Sequence, residues 1–139
     1  MVAYMEKMVI KVPVVIKAKV TEDLKAKIVA ELQEGVKAAN LDMEQFEFSA
    51  KRAMNEQANQ DSNMLGALQE QIELERAKRM SAKNEVEAKL ARAEKLELGS
   101  EVGHGQLERT VEIEIGSNLE ALLGAEILTE DGKVIAFRA

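Results

Sequence analysis

Glycines bracket the histidine in "GSEVGHG", residues 99–105, and this stretch comes nearest to site chemistry. Closely spaced glycines let backbone amides cradle a phosphate where a helix begins just after them. Here no Lys-Ser or Lys-Thr follows, and the next residues alternate as a strand does, so the stretch is expected to be a flexible joint. His104 is the one histidine of the chain. As a base or a metal ligand it needs partners, and with no second histidine and no cysteine the expectation is a solvated loop residue. No G-x-S-x-G, H-E-x-x-H or Walker-type pattern occurs. The chain is therefore read as a non-enzyme with no cofactor and no metal site.

The run "RAKRMSAKNEVEAKLAR", residues 76–92, raises a different chemistry. Lys78, Arg79 and Lys83 within it would suit a phosphate-contacting stripe, as in an RNA- or ribosome-associated accessory factor. Against that, the formal charge is -6, and three Phe, one Tyr and no Trp leave little to stack on bases. Apolar candidates carry more weight. Leu41 and Phe48, seven residues apart, lie opposite the apolar stripe of a first helical arm. Leu74 and Met80 lie off the stripe of a second. Single exposed apolar residues are ordinary, but four in the middle of thin arms point to burial against another hairpin in a homo-oligomer. Met54, Met64 and Leu65, between the arms, offer flexible apolar surface either for an unknown protein partner or for packing across a turn.

These residues need elements to hold them. From Val9 to Val20, Ile10, Val12, Val14, Ile16, Ala18 and Val20 alternate with Lys11, Pro13, Val15, Lys17 and Lys19, the period of a strand with one buried face. Pro13 argues for an edge or a bulge. "TED" at 21–23 supplies a capping Thr and two carboxylates for a helix start. Apolar residues then recur at steps of three and four, from Leu32 through Val36, Ala39, Met43, Phe46 and Ala50 to Ala53. They do so again at Leu65, Leu68, Ile72, Ala82, Val86, Leu90, Ala93 and Leu96, with gaps at Glu75 and Arg79.

Between the arms "QANQDSNML" breaks the helix-forming run. If it is a tip, residue i faces a residue near 121 minus i. Leu24 then meets Leu96, Ile28 meets Ala93, and Val36 meets Val86. The charges agree: Lys27 with Glu94, Lys25 with Glu97, Lys51 and Arg52 with Glu70, Arg79 with Asp42 and Glu44. Such pairs choose register more than they stabilise. The rival is one unbroken helix pairing with a second chain.

Past the glycines, "TVEIEIG" alternates again, "SNLEALLG" suits a capped short helix, and Asp131-Gly132 suits a type I′ hairpin turn. In that hairpin Glu130 faces Lys133, Leu128 faces Ile135, and Ile127 faces Ala136. The acidic "VEIEI" and the basic "VIKAKV" are expected to be neighbouring strands. The predicted fold is α+β: a long antiparallel helical (coiled-coil) hairpin on a small β head formed by the N- and C-terminal segments. Its parts are a strand in 1–20, the hairpin in 21–97 with its tip near 57–64, and a β segment in 98–139 with a short helix at 118–123.

At 139 residues without cysteine, the chain is too short for two independent globules and has no disulfide framework, which suits a reducing, cytoplasmic setting. The apolar N-terminus is interrupted by Lys7, Lys11, Lys17 and Lys19, so neither a signal peptide nor a membrane span is expected. A head of about 45 residues buries little core and leans on oligomerisation.

"LGSEV" followed by "VEIEIGSNLEALLGAEILTEDGKVI" resembles the bacterial and cyanobacterial YlqD family. The resemblance implies the order of strand, long charged helical region, glycine-marked joint and C-terminal β segment. It implies no catalytic or binding residues. The reading that results is a homo-oligomeric interaction protein, adaptor or holdase-like, similar in plan to prefoldin-type holdases.

Overall fold

The computed structural model describes residues 2–139. Its elements run β1 (Lys7–Lys19), α1 (Glu22–Gln60), one 3-10 turn (Ser62–Met64), α2 (Leu65–Glu94), β2 (Glu101–Glu114), α3 (Leu119–Leu123), β3 (Glu126–Glu130) and β4 (Lys133–Arg138). The fold is α+β, with a long helical hairpin and a four-stranded mixed sheet drawn from both ends of the chain. Two compact units result: a sheet unit formed by the chain up to Lys25 and from Leu96 onward, and a helical unit, Ala26–Lys95.

The sheet order is β2-β1-β3-β4. β1 pairs antiparallel with β2 from Lys7↔Glu114 to Lys19↔Glu101, so the basic and acidic strands are neighbours, as their charges predict. Lys7 reaches Glu112 at 3.3 Å. The alternation in β1 holds: Val12, Val14, Ala18 and Val20 are buried, while Lys11, Pro13 and Val15 are exposed. β3 then lies parallel to β1, but only over Val15–Ala18. This explains Pro13. The Val15 N–H donates to the Ala125 carbonyl at 3.2 Å, on the β3 side. The period of two turns the Pro13 nitrogen to that same side, where β1 has no strand partner yet, so the missing donor costs no ladder bond.

Two expectations about the sheet are corrected. The glycine-rich stretch is not a joint over its length, since Glu101–Gly105 opens β2. Ile16 pairs with Gly105 and Lys17 with Gly103, leaving His104 as the extra residue of a β-bulge. The link from α2 to the sheet is confined to the residues just before: Gly99, at φ 87, gives its N–H to the Val20 carbonyl at 2.8 Å, and Val20 gives its own to the Ser100 carbonyl at 2.7 Å. In the β3–β4 hairpin, Asp131 and Gly132 both have positive φ, as a type I′ turn requires, and Glu130 faces Lys133. Beyond them a bulge at Ile135 shifts the register, so Leu128 faces Ala136 and Ile127 faces Phe137.

α1 starts as "TED" predicts. The Thr21 hydroxyl accepts from the Leu24 N–H at 3.2 Å and donates to Asp131 at 2.7 Å, tying the helix start to the β3–β4 turn. Its other end answers how a chain without Gly or Pro at this point can reverse. Asp61 leaves the helix for an extended conformation, φ -149 and ψ 99, and its carboxylate caps the 3-10 turn by accepting from the Asn63 N–H at 3.0 Å. The Gln57 side chain closes the joint on the Asp61 carbonyl at 2.8 Å. Asx chemistry does here what glycine does elsewhere.

Between α1 and α2 the expected register appears. A Cβ on Gly35 would lie 3.3 Å from Val86, and Arg79 binds Asp42 at 2.6 Å. Other expected pairs do not form. Lys25 donates instead to the Leu96 carbonyl at 2.9 Å, and Arg52 turns to Glu56 on its own helix at 3.4 Å. The α2 stripe also differs from expectation in its middle. Ala82 is exposed, and the half-buried positions run through Glu75, Arg76, Arg79 and Lys83. A step of four after Arg79 continues the 3.6-residue period, and long cationic side chains cover apolar surface with their stems.

Candidate functional site

The helical unit carries most of the residues singled out from sequence. Leu41 is 55% exposed and Phe48 70%, both on α1; Leu74 is 67% exposed on α2. Seven residues make nearly two turns, so Leu41 and Phe48 share one side of α1, away from the buried Ala50. Met80 is exposed as well, but the six residues from Leu74 to Met80 rotate it to another side of α2. At the tip, Met64 is exposed while Met54 and Leu65 are half-buried.

Two of these residues belong together. Phe48 and Met54 line a groove of about 490 Å³ whose other wall is Ile72, Glu73 and Arg76 of α2. The groove is apolar at its floor and charged at its rim. Arg76 closes the rim, binding Glu47 at 2.6 Å and also Glu73. The bonds to Arg76 hold the Glu47 carboxyl below the usual carboxylate range, and the Arg76 guanidinium is raised by the same contacts, Glu47 first. Arg76 was not foreseen as a bridge. The signal was present: Glu73 lies one turn before it, and Glu47 lies two positions from its expected opposite.

The basic run is largely consumed by its surroundings. Arg79 pairs with Asp42 and stacks on Phe46 at 4.8 Å, Lys78 lies 3.8 Å from Glu75, Lys83 reaches Glu87 at 4.0 Å, and Lys89 reaches Glu85 at 3.8 Å. Of Lys78, Arg79 and Lys83, Lys78 is the most exposed, and it too has a carboxylate beside it.

In the sheet unit the four strands each contribute one charge to a network. Lys17 (β1) meets Glu126 (β3) at 3.1 Å, Glu126 meets Arg138 (β4) at 2.7 Å, and Arg138 grips Glu101 (β2) with two bonds of 2.7 and 3.1 Å. Lys17 and then Arg138 hold the Glu126 carboxyl below its ordinary value, and Glu101 raises the Arg138 guanidinium. A groove of about 370 Å³ is lined by Val14, Leu107, Ile127 and Phe137, with Glu126 and Arg138 of that network also on its walls. Phe137, 80% exposed, was not singled out from sequence. His104 is exposed at its bulge. Among the described residues no group of three or more His, Asp or Glu gathers around one point as a metal ion needs, and no helix is long and apolar enough to cross a membrane.

The family model described as YlqD protein matches residues 8–138 of this sequence. The chain belongs to the YlqD family. Among solved structures, this YlqD chain is similar to that of a protein of unknown function from Synechococcus sp. WH 8102. The TM-score is 0.79 at 23% identity, over 96% of this chain and 95% of the other. That similarity carries the fold. A comparison with curated proteins finds no match.

Proposed function

We propose that this YlqD chain is a non-enzymatic, homo-oligomeric interaction protein, adaptor or holdase-like, that engages other proteins through its helical arms. The observation that carries this reading is the set of large apolar side chains at Leu41, Phe48 and Leu74, each more than half exposed on helices whose inward sides carry the buried Ala50 and Ala93. Water is a poor neighbour for such a set, and neighbouring hairpins or an apolar client segment would cover it. The groove at Phe48 and Met54 gives a client side chain somewhere to enter. Paired cations along α2 leave less free positive charge than RNA binding uses, which places that reading second.

The test is Phe48→Asp. A carboxylate at a buried contact lowers the order of the oligomer, read as mass by sedimentation equilibrium, or loosens the arms, read as loss of helical circular dichroism. Unaltered mass and helicity in this variant would refute the arm contact. A pull-down at two salt concentrations checks the client: protein that stays bound at high salt supports the reading, and RNA that leaves with salt replaces it.

A further inference from the structure

The sheet unit has an unfinished lane. β2 covers one side of β1 over its whole length, but β3 covers the other side only from Val15 onward. Lys7–Pro13 and its β2 partners are therefore two-stranded in the plane of the sheet; α3 packs on β1 and Val12 is buried, but the Lys7–Val9 end stays exposed, and a two-stranded end is marginal in water. The edge is open: residues 2–9 and Lys11 are exposed, Val9 at 64%, and among the described residues no backbone group pairs with β1 on that side before the Val15–Ala125 bond. The period of two turns the N–H groups of Lys7, Val9 and Lys11 toward this edge, in line with that of Val15. Open, β-rich edges are templates for another strand.

We propose that the occupant is the same edge of a second copy, paired antiparallel about a twofold axis at Ile10. This inference rests on the homo-oligomeric reading and names one of its interfaces. Length sets the centre, because the free lane begins with the strand at Lys7 and ends at Pro13, and Ile10 is its midpoint. Charge sets the register. Pairing centred one residue earlier would put Lys7 opposite the partner's Lys11, and one residue later would put Lys11 opposite itself, like charges face to face. Centred on Ile10, Lys7 meets the partner's Pro13, Met8 the partner's Val12, and Val9 the partner's Lys11.

The acidic strand behind β1 completes the fit. β2 holds Glu108 opposite Pro13 and Glu112 opposite Val9. The partner's Lys7 arrives beside Pro13 and the partner's Lys11 beside Val9, so each incoming ammonium faces a carboxylate one strand farther on. Lys7 already reaches diagonally to Glu112 in this way within one chain. On the other face, Met8, half exposed, and Ile10 gain the partner's Ile10 as an apolar neighbour, while Val12 is already buried within its own chain.

The native chain lacks cysteine, which makes the test clean. Ile10 sits at a non-hydrogen-bonded position of the new pair, where facing Cα atoms are about 4.5 Å apart, within disulfide range. Ile10→Cys in the full chain is expected to give a covalent dimer under mild oxidation. Met8→Cys is expected to give none, because the two Met8 positions lie about 14 Å apart along the strands. Val9→Pro deletes a donor on the open edge while leaving the β1–β2 ladder alone, as Pro13 does, and is expected to lower the native mass with circular dichroism unchanged. A wild-type chain that sediments as a monomer defeats this inference and the homo-oligomeric reading together. A wild-type oligomer whose mass survives Val9→Pro, and whose Ile10→Cys variant does not cross-link, defeats the edge pairing alone. Cross-linking of Ile10→Cys in a Phe48→Asp background supports it independently of the arms.

Discussion

Gly35 offers a sharp test of how the two long helices face each other. In the middle of α1 a glycine is a weak helix former, and Gly35→Ala gains about 1 kcal/mol from helix propensity alone. The structure opposes that gain, because the added methyl would lie 3.3 Å from the Val86 side chain, tighter than ordinary contact. Val86 is stiff at χ1, so the accommodation falls on the helix spacing and costs about 1 kcal/mol, the low end for overpacking. The single variant is therefore expected to show little or no gain. Val86→Ala, at a half-buried site, loses roughly 1 kcal/mol of apolar burial. In the double variant the obstacle is gone and the new methyl fills space the valine left. Gly35→Ala then delivers its whole propensity gain, giving a favourable coupling of about 1 kcal/mol between the sites. Urea unfolding of the four proteins, followed by helical circular dichroism, closes the cycle. Strict additivity would mean that residues 35 and 86 are not neighbours, and the register in which positions sum to 121 would fall with it.

Asp61→Ala removes the carboxylate that caps the tip and is expected to cost about 1 kcal/mol, seen as earlier loss of helix in urea; an unchanged midpoint would show that the cap is dispensable. The network at Glu126 gives a pH dependence whose sign is set by its lowered pKa. The contribution of Glu126 is present above its unfolded value near 4.5 and is lost as pH falls through the lower folded value. Glu126→Gln is thus expected to flatten the acid limb of a melting-temperature profile and to lower stability at neutral pH, whereas an acid limb of unaltered steepness would assign it to other carboxylates.

The architecture was legible because three signals, two with the period of a strand and one with that of a helix, followed one another along the chain. Ile10 to Val20 alternates by two, Leu32 to Ala53 steps by three and four, and Val111 to Ile115 alternates by two again, as a strand, a helix and a strand do. The tip was legible from Asn, Asp and Ser because their side chains bond to nearby backbone, and Asp61 does so. What could not be read is whatever a single inserted residue changes. His104 in β2 and Ile135 in β4 each displace a ladder by one; Ile135 sits among strand formers that announce nothing, whereas the glycines beside His104 mark a bulge as readily as the joint expected there. The parallel placement of β3 was equally hidden, since it depends on α3 carrying the chain from beyond one side of β1 to the other.

The candidate site divides along the same physical line. Leu41, Phe48 and Leu74 could be found because an apolar residue off the helical stripe contradicts the pattern around it, and contradiction is visible in one dimension. Arg79 could be placed only through its charge, by the expected pairing with Asp42, and Arg76 and Lys83 not at all, because a cation near an apolar stripe reads as a gap in it. In the hairpin the gap is filled: Arg79 lays its guanidinium on Phe46 and takes Asp42, and Arg76 takes Glu47. A long side chain turns a break in the pattern into a charged segment of the seam. That segment fixes the register of the arms by pairing rather than by bulk, which apolar residues a heptad apart cannot do, since a slip of seven would seat them equally well. The same choice leaves the middle of the hairpin with few apolar residues inside and three outside. The outward set is then where further apolar burial is still to be gained, and Phe48 is the position at which a second copy or a client would gain most.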